Sequence, residues 1–425
     1  MRKLLLILTS VLAGISAVFV LGYLTYTIIT KPTPLLSPLS DLFAPIIPTP
    51  SVYDQYPKPQ TVVYGFLPYW NLKYRSYLRF SLLTHLAYFS VGLDTNGNIS
   101  KIDEDGNAEP GYRHLRSPEV ATILAQARQN HTKNIITITA MRQDIIEGIL
   151  NPQNQTRAIA NIISLVEEYS FDGINIDFEY VGTPDPVTAT RFTLFIKALN
   201  DKCHQSNPDC ELAIDVFGDT GRSNRLWKLS ELHPFLDHIF VMAYDYYRPS
   251  STQAGPVAPL RGKCSQLYVN KYCLESDISA DIAAITKQAP AQKVILGVPY
   301  YGYQWRTAAG DYRANTYEDT GGTASLSFVH TLINQEAKPI NSKYQIIGIQ
   351  QRWDDFTLTP YIVHEPSPGK IVQVYYENSR SLSLKYDLVN KSGLAGVGIW
   401  ALGYDGDLPD YWELLYKYFS PPLLK

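Results

Sequence analysis

From residue 61 onward the chain alternates between two hydrophobic rhythms. Short apolar runs fall at 62–66, 84–90, 134–140, 172–178, 211–217, 238–244, 293–299 and 395–400, and helical patterns lie between them. One such pattern leads to Phe171 through Ile162, Ile163, Leu165, Val166 and Tyr169, and another covers 188–200. Helix, strand, helix describes an interior strand of a parallel sheet, covered on both faces. Eight such strands predict a TIM (β/α)8 barrel over residues 61–419, with its site at the C-terminal ends of the strands. The connection between the seventh and eighth runs is longer than a crossover helix requires, so residues 306–369 are expected to form a small α+β insertion.

The fourth run reads Asp172-Gly-Ile-Asn-Ile-Asp-Phe-Glu179. Successive side chains of a strand point to opposite faces, so Asn175, Asp177 and Glu179 share one wall while Ile174, Ile176 and Phe178 pack on the other. At about 3.3 Å per residue, Glu179 stands about 7 Å beyond Asp177 near the strand's end. An edge strand with one wet face would also alternate, but the flanking helices place this strand inside the sheet. Carboxylates buried there cost several kcal/mol unless paired or hydrogen-bonded, so the row reads as a working site. Asp172 falls on the opposite face and is expected to be structural.

This segment resembles the Asp-Gly-x-Asp-x-Asp-x-Glu signature of glycoside hydrolase family 18, the chitinase family, with Asn175 replacing the first Asp of the closing triplet. Four further segments resemble the family in the same order: Tyr64-Gly-Phe-Leu-Pro-Tyr-Trp70, Met242-Ala-Tyr-Asp245, Gly297-Val-Pro-Tyr-Tyr-Gly302 and Gly396-Val-Gly-Ile-Trp400. The resemblance implies hydrolysis of β-1,4-linked N-acetylglucosamine polysaccharide, chitin or peptidoglycan, by a substrate-assisted retaining mechanism. It makes Glu179 the general acid/base, Asp177 the residue that orients the substrate's acetamide, and Tyr244 a hydroxyl donor to the same group. Asn175, Asp245, Trp400, Met242 and Tyr64 are then expected to bind substrate, Trp400 by stacking under a sugar. Asn175 cannot take up charge as an Asp could, and is expected to donate a hydrogen bond to Asp177. The layout also resembles spore-cortex and cell-wall members of the family. A non-catalytic chitin- or peptidoglycan-binding lectin on the same barrel is the rival reading, against which the joint presence of Glu179, Asp177 and Tyr244 argues.

Composition narrows the partners. With 37 basic and 40 acidic residues the net charge is -3, and no basic stripe suggests nucleic acid. No Gly-rich phosphate loop or metal-ligand set is apparent, so no cofactor is expected. His85 sits in an apolar run and reads as a core histidine. Asp405, Asp407 and Asp410 lack the Glu-terminated loop of a calcium hand and read as a solvated turn. Four cysteines fall as local pairs, Cys203/Cys210 and Cys264/Cys273, and are expected to form disulfides in an exported protein, paired by proximity among three connectivities.

The N-terminus carries Arg2 and Lys3, then 26 uncharged residues from Leu4 to Ile29. Signal-peptide cores run about 7–15 residues and a bilayer span needs about 20. Residues 1–30 are therefore expected to be a membrane anchor with the N-terminus inside and the barrel outside the cell; a cleaved signal and a secreted protein is the alternative. Residues 31–60 hold eight prolines and read as an extended linker.

Overall fold

The computed structural model describes residues 56–103, 105–264, 273–335 and 347–422. The apolar stretch 4–29 and nearly all of the Pro-rich stretch lie outside them. Among the described residues no helix is long and apolar enough to cross a membrane.

Eight parallel strands close the barrel: β1 (Val62–Pro68), β2 (His85–Gly92), β3 (Lys133–Ala140), β4 (Gly173–Phe178), β5 (Glu211–Phe217), β6 (His238–Met242), β7 (Val294–Pro299) and a last strand, β13 (Gly396–Trp400). Each lies within a residue or two of its apolar run. Helices cover the outside, and their ends follow local chemistry. Asn151 caps Pro152–Tyr169 and Asp185 caps Pro186–Ser206, each accepting from backbone N–H groups of the first turn, with proline in the first turn. The outward faces of the strands bury Ile174, Ile176 and Phe178 against these helices, and Phe178 stacks on Phe195 at 5.7 Å. Asp172 is structural, as expected: its Oδ2 accepts from the Asn134 N–H at 2.7 Å and ties the start of β4 to β3.

Register sets the site. Thr139 on β3 pairs with Asp177, and Ile176 pairs with Ile214 on β5. Asp177 and Asp215 therefore stand level on adjacent strands and point into the barrel together.

Between β7 and β13 the chain builds an antiparallel sheet from β8 (Tyr301–Arg306), β9 (Gly322–Ser325), β10 (Ile347–Asp354), β11 (Thr359–Glu365) and β12 (Val372–Tyr375), in the order β10-β11-β12-β8-β9, with the helix Leu326–Gln335 following β9 and the crossover helix Ser379–Lys391 leading to β13. It is wider than the expected 306–369. The reason is that β7 ends at Pro299 and the chain turns at once into β8, whose Tyr301, Tyr303 and Trp305 alternate with Gly302 and Gln304 and pack with Tyr361 and Tyr375 in a separate aromatic core. Both expected disulfides form, Cys203–Cys210 with Cα atoms 5.7 Å apart and Cys264–Cys273 with Cα atoms 5.3 Å apart.

At the N-terminal end of the barrel, opposite the catalytic end, Glu211 joins three strands. Its Oε2 meets His85 Nε2 at 2.7 Å and His238 Nε2 at 3.9 Å, while Oε1 accepts from Lys133 Nζ. His85 is thus a buried histidine with a carboxylate hydrogen-bond partner. These two histidines and Glu211 offer metal-ligand atoms within 4.8 Å of one another, a grouping the sequence did not suggest because the residues lie far apart along the chain. Lys133 already supplies a cation there.

Candidate active site

The C-terminal ends of the strands surround a cavity of about 320 Å³ lined by Asp177, Glu179, Asp215, Tyr244, Asp245 and Trp400, among others. Asp177 ends the inward row of β4 and is 3% exposed. Glu179 lies just beyond the strand, where its N–H still donates to Ala140 O at 2.9 Å, so the ladder holds its backbone while its side chain reaches the cavity.

Burial raises the Asp177 carboxyl well above the ordinary carboxylate range, and the charges of Asp215 and Glu179 push the same way. Asp215 is likewise raised, chiefly by burial, with the hydrogen bond from Asn175 opposing. Glu179 is raised by burial and then by the charge of Asp245, and Arg248 offsets part of this. A row of carboxyls that cannot all ionise together holds protons to higher pH than free carboxyls would, the direction general acid chemistry needs.

Tyr244 and Asp245 follow the end of β6. Asp245 takes φ 62°, a left-handed conformation that Asp tolerates better than most residues, and both Tyr244 and Asp245 line the cavity at this turn. Two hydroxyls fix Asp245: Tyr301 Oη and Tyr303 Oη donate to its Oδ1 at 2.5 and 2.9 Å. Tyr244 keeps its phenol proton, with burial and then the charges of Asp215 and Asp177 raising its pKa well above the usual value. Trp400 ends β13 half-buried, held edge-on by Phe89 at 4.6 Å and tilted against Phe66 at 5.8 Å, with a face toward the cavity. Met242 lines the same wall.

Two expected substrate contacts are corrected. Tyr64 is 1% exposed and does not line the cavity; it stacks on His85 at 5.2 Å deep in the barrel. It stands in the inward row of β1, and Phe66, one pleat nearer the catalytic end, takes the cavity position. Asn175 is fully buried one pleat below Asp177, and its Nδ2 donates to Asp215 Oδ2 at 2.8 Å rather than to Asp177. Asp405 is a third correction. It is fully buried, accepting from Gly403 N–H at 3.1 Å and Trp412 Nε1–H at 3.0 Å, and burial pushes it up to about 6. It fastens the loop after β13 instead of lining a solvated turn.

Sequence reasoning missed Asp215, Tyr301 and Tyr303. Asp215 carried a readable signal, a carboxylate in the middle of the apolar run Leu-Ala-Ile-Asp-Val on the strand's inward face. The two tyrosines alternate on β8, but only the tertiary fold brings them to Asp245.

The profile of glycosyl hydrolases family 18 matches residues 61–405. The chain belongs to this family. As a member it is a glycoside hydrolase. The cortical fragment-lytic enzyme of Bacillus anthracis is 24% identical over 353 residues, covering 80% of this chain and 68% of that one. Among solved structures, the spore cortex-lytic enzyme SleL of Bacillus cereus superposes with a TM-score of 0.64 at 19% identity, over 86% of this chain and 75% of that one. A family 18 chitinase from Cycas revoluta, solved in complex with (GlcNAc)3, gives a TM-score of 0.67 at 19% identity, over 84% and 99% of the two chains. At these identities the structural likeness establishes the fold alone.

Proposed function

We propose that the barrel cleaves β-1,4-linked N-acetylglucosamine polysaccharide with the substrate's own acetamide as nucleophile. Protonated Glu179 gives its proton to the glycosidic oxygen as the bond from that oxygen to the anomeric carbon breaks. The acetamide oxygen bonds to the same carbon, forming a cyclic oxazolinium. Asp177 holds the acetamide N–H and offsets the positive charge, while the Tyr244 O–H donates to the group. Water then attacks the anomeric carbon, giving its proton to the Glu179 carboxylate as the bond from the acetamide oxygen to that carbon breaks; the acetamide is regenerated and the original anomeric configuration returns.

The observation that carries this reading is the meeting of Asp177, Glu179 and Tyr244 at one cavity whose burial favours the protonated acid. Glu179→Gln keeps the shape and removes the acid, so kcat on an N-acetylglucosamine oligomer should fall by at least about 100-fold with KM largely kept. Near-normal turnover would sink the assignment and favour a sugar-binding protein. Analysing the products from chitin oligomers and from purified peptidoglycan identifies the polymer.

We read residues 4–29 as a membrane anchor and 31–60 as the spacer that holds the barrel outside the cell membrane. The support is the length of the uncharged stretch and the charges of Arg2 and Lys3 before it. Full-length protein should stay with membranes through high-salt and alkaline washing. A soluble mature chain beginning near residue 17 would show a cleaved signal instead.

A further inference from the structure

Beside the catalytic cavity lies a second, of about 800 Å³, and the two share Met242, Tyr244 and Asp245. Trp400 and Tyr404 line only the first, whereas Val181, two residues past Glu179, lines only the second. On the mechanism proposed above, Glu179 stands at the glycosidic oxygen and the reacting sugar lies over Trp400. The sugar that leaves therefore enters the second cavity.

Four arginines line that cavity, and three are engaged. Arg222 Nε donates to Asp281 Oδ1 at 2.7 Å. Arg225 holds Asp219 through Nε at 3.0 Å and Nη2 at 2.7 Å. Arg313 lies over the Tyr247 ring at 5.1 Å and donates to its hydroxyl. Arg248 differs. Its backbone N–H is anchored by Ser251 Oγ at 2.9 Å and its Nε reaches Asp245 O at 3.4 Å, yet among the described residues its guanidinium meets no carboxylate. Asp245, the acid nearest in sequence, directs Oδ1 to Tyr301 and Tyr303. Glu275 is the one further acid on this wall, and it is exposed. The cavity thus keeps an uncompensated planar cation three residues after Asp245, close enough to influence Glu179.

We infer that Arg248 recognises a carboxylate carried by the leaving part of the substrate, so that the enzyme prefers an acidic N-acetylated glycan over a neutral one. This inference rests on the hydrolase reading above. A guanidinium matches a carboxylate bidentately, and a cleft strengthens the pair relative to open water. Two sources carry this group in peptidoglycan: the lactyl ether on its second sugar and the acidic peptide stem. Chitin has neither.

The test compares kcat/KM of the full chain and of Arg248→Gln on three substrates: neutral N-acetylglucosamine hexamer, peptide-free glycan strands, and strands bearing their peptides. Arg248 also acts on Glu179, so each protein is assayed at its own pH optimum and the acidic-to-neutral ratio is the readout. That ratio should fall about 10-fold in Arg248→Gln and largely recover in Arg248→Lys, which restores charge. A fall on peptide-free strands assigns the lactyl carboxylate; a fall confined to peptide-bearing strands assigns the stem. Methyl esterification of the peptide-free strands should reproduce the loss in the first case. A ratio unchanged within about 2-fold on both acidic substrates, with the wild type active, overturns the role of Arg248 and leaves the hydrolase reading intact. Wild-type inactivity on all three overturns both.

Discussion

Asn175 donates its amide hydrogen to Oδ2 of Asp215 across 2.8 Å, one pleat below Asp177. The amide therefore steadies a carboxylate on the neighbouring strand, and that carboxylate in turn acts on Asp177 through its charge. Because Asn175 cannot ionise, the buried cluster holds two aspartates, Asp177 and Asp215, and the family signature would add a third at position 175.

Restoring the third by Asn175→Asp replaces a donor with a carboxyl that must share a proton with Asp215. Added negative charge makes ionisation of Asp177 harder, so the acidic limb of kcat/KM should move to higher pH or broaden. The alkaline limb, set by loss of the Glu179 proton, should move less. Profiles of kcat/KM against pH on one oligomer decide this, and superimposable curves would mean that residue 175 does not communicate with the catalytic row.

Asp245 sets the other limb. Burial first, and then its charge, raises Glu179, which must be protonated to act, so activity is lost as pH rises through the Glu179 pKa. Asp245→Asn removes that charge, lowers the Glu179 pKa and should draw the alkaline limb to lower pH. Arg248→Gln removes a charge of opposite sign and should draw the same limb to higher pH. Shifts in the same direction for both variants would contradict this electrostatic assignment.

The barrel was legible because each strand is a short apolar run between helices, and periodicity records that locally. The catalytic face of β4 was legible for the same reason, since a period of two puts Asp177 and Glu179 on one wall. Depth along a strand was less so. Tyr64 and Asn175 share faces with cavity residues yet lie one pleat too deep, and only the closed barrel shows where its interior ends. The partners Asp215, Tyr301 and Tyr303 needed strand register and the out-turned β8. The burial of Asp405 depended on Trp412, whose indole reaches it from the following helix.

The bridge between Cys203 and Cys210 joins the last helical turn of Pro186–Ser206 to the start of β5, closing a short loop of sequence separation 7. Loop-closure entropy for such a loop is worth about 2–3 kcal/mol. Replacing both cysteines by serine should lower the denaturant midpoint with little change in slope and with kcat kept, since the bridge lies at the N-terminal end of the barrel, away from the catalytic row. An unchanged midpoint would show that the loop is already ordered in the unfolded chain or held by other contacts.

At that same end, His238 and Glu211 make stability depend on pH. Burial, and then the charge of His85, lowers His238 from 6.5 to about 4. Between those values the unfolded chain binds a proton that the folded chain refuses, so stability falls as pH falls through this window. For Glu211, burial would raise the pKa, but the hydrogen bond and charge of His85, the hydrogen bond from Lys133 and the charge of His238 outweigh it and bring the carboxyl from 4.5 down to about 2. Its contribution is present above pH 4.5 and is lost toward pH 2. The two windows adjoin, so the denaturant midpoint should fall continuously below about pH 6.5. His238→Asn removes the upper window only: its midpoint should stay flatter between pH 6.5 and 4 than that of the wild type, and then fall in parallel as Glu211 titrates. Equal slopes for both proteins above pH 4.5 would show that His238 is not the group whose titration sets the upper window.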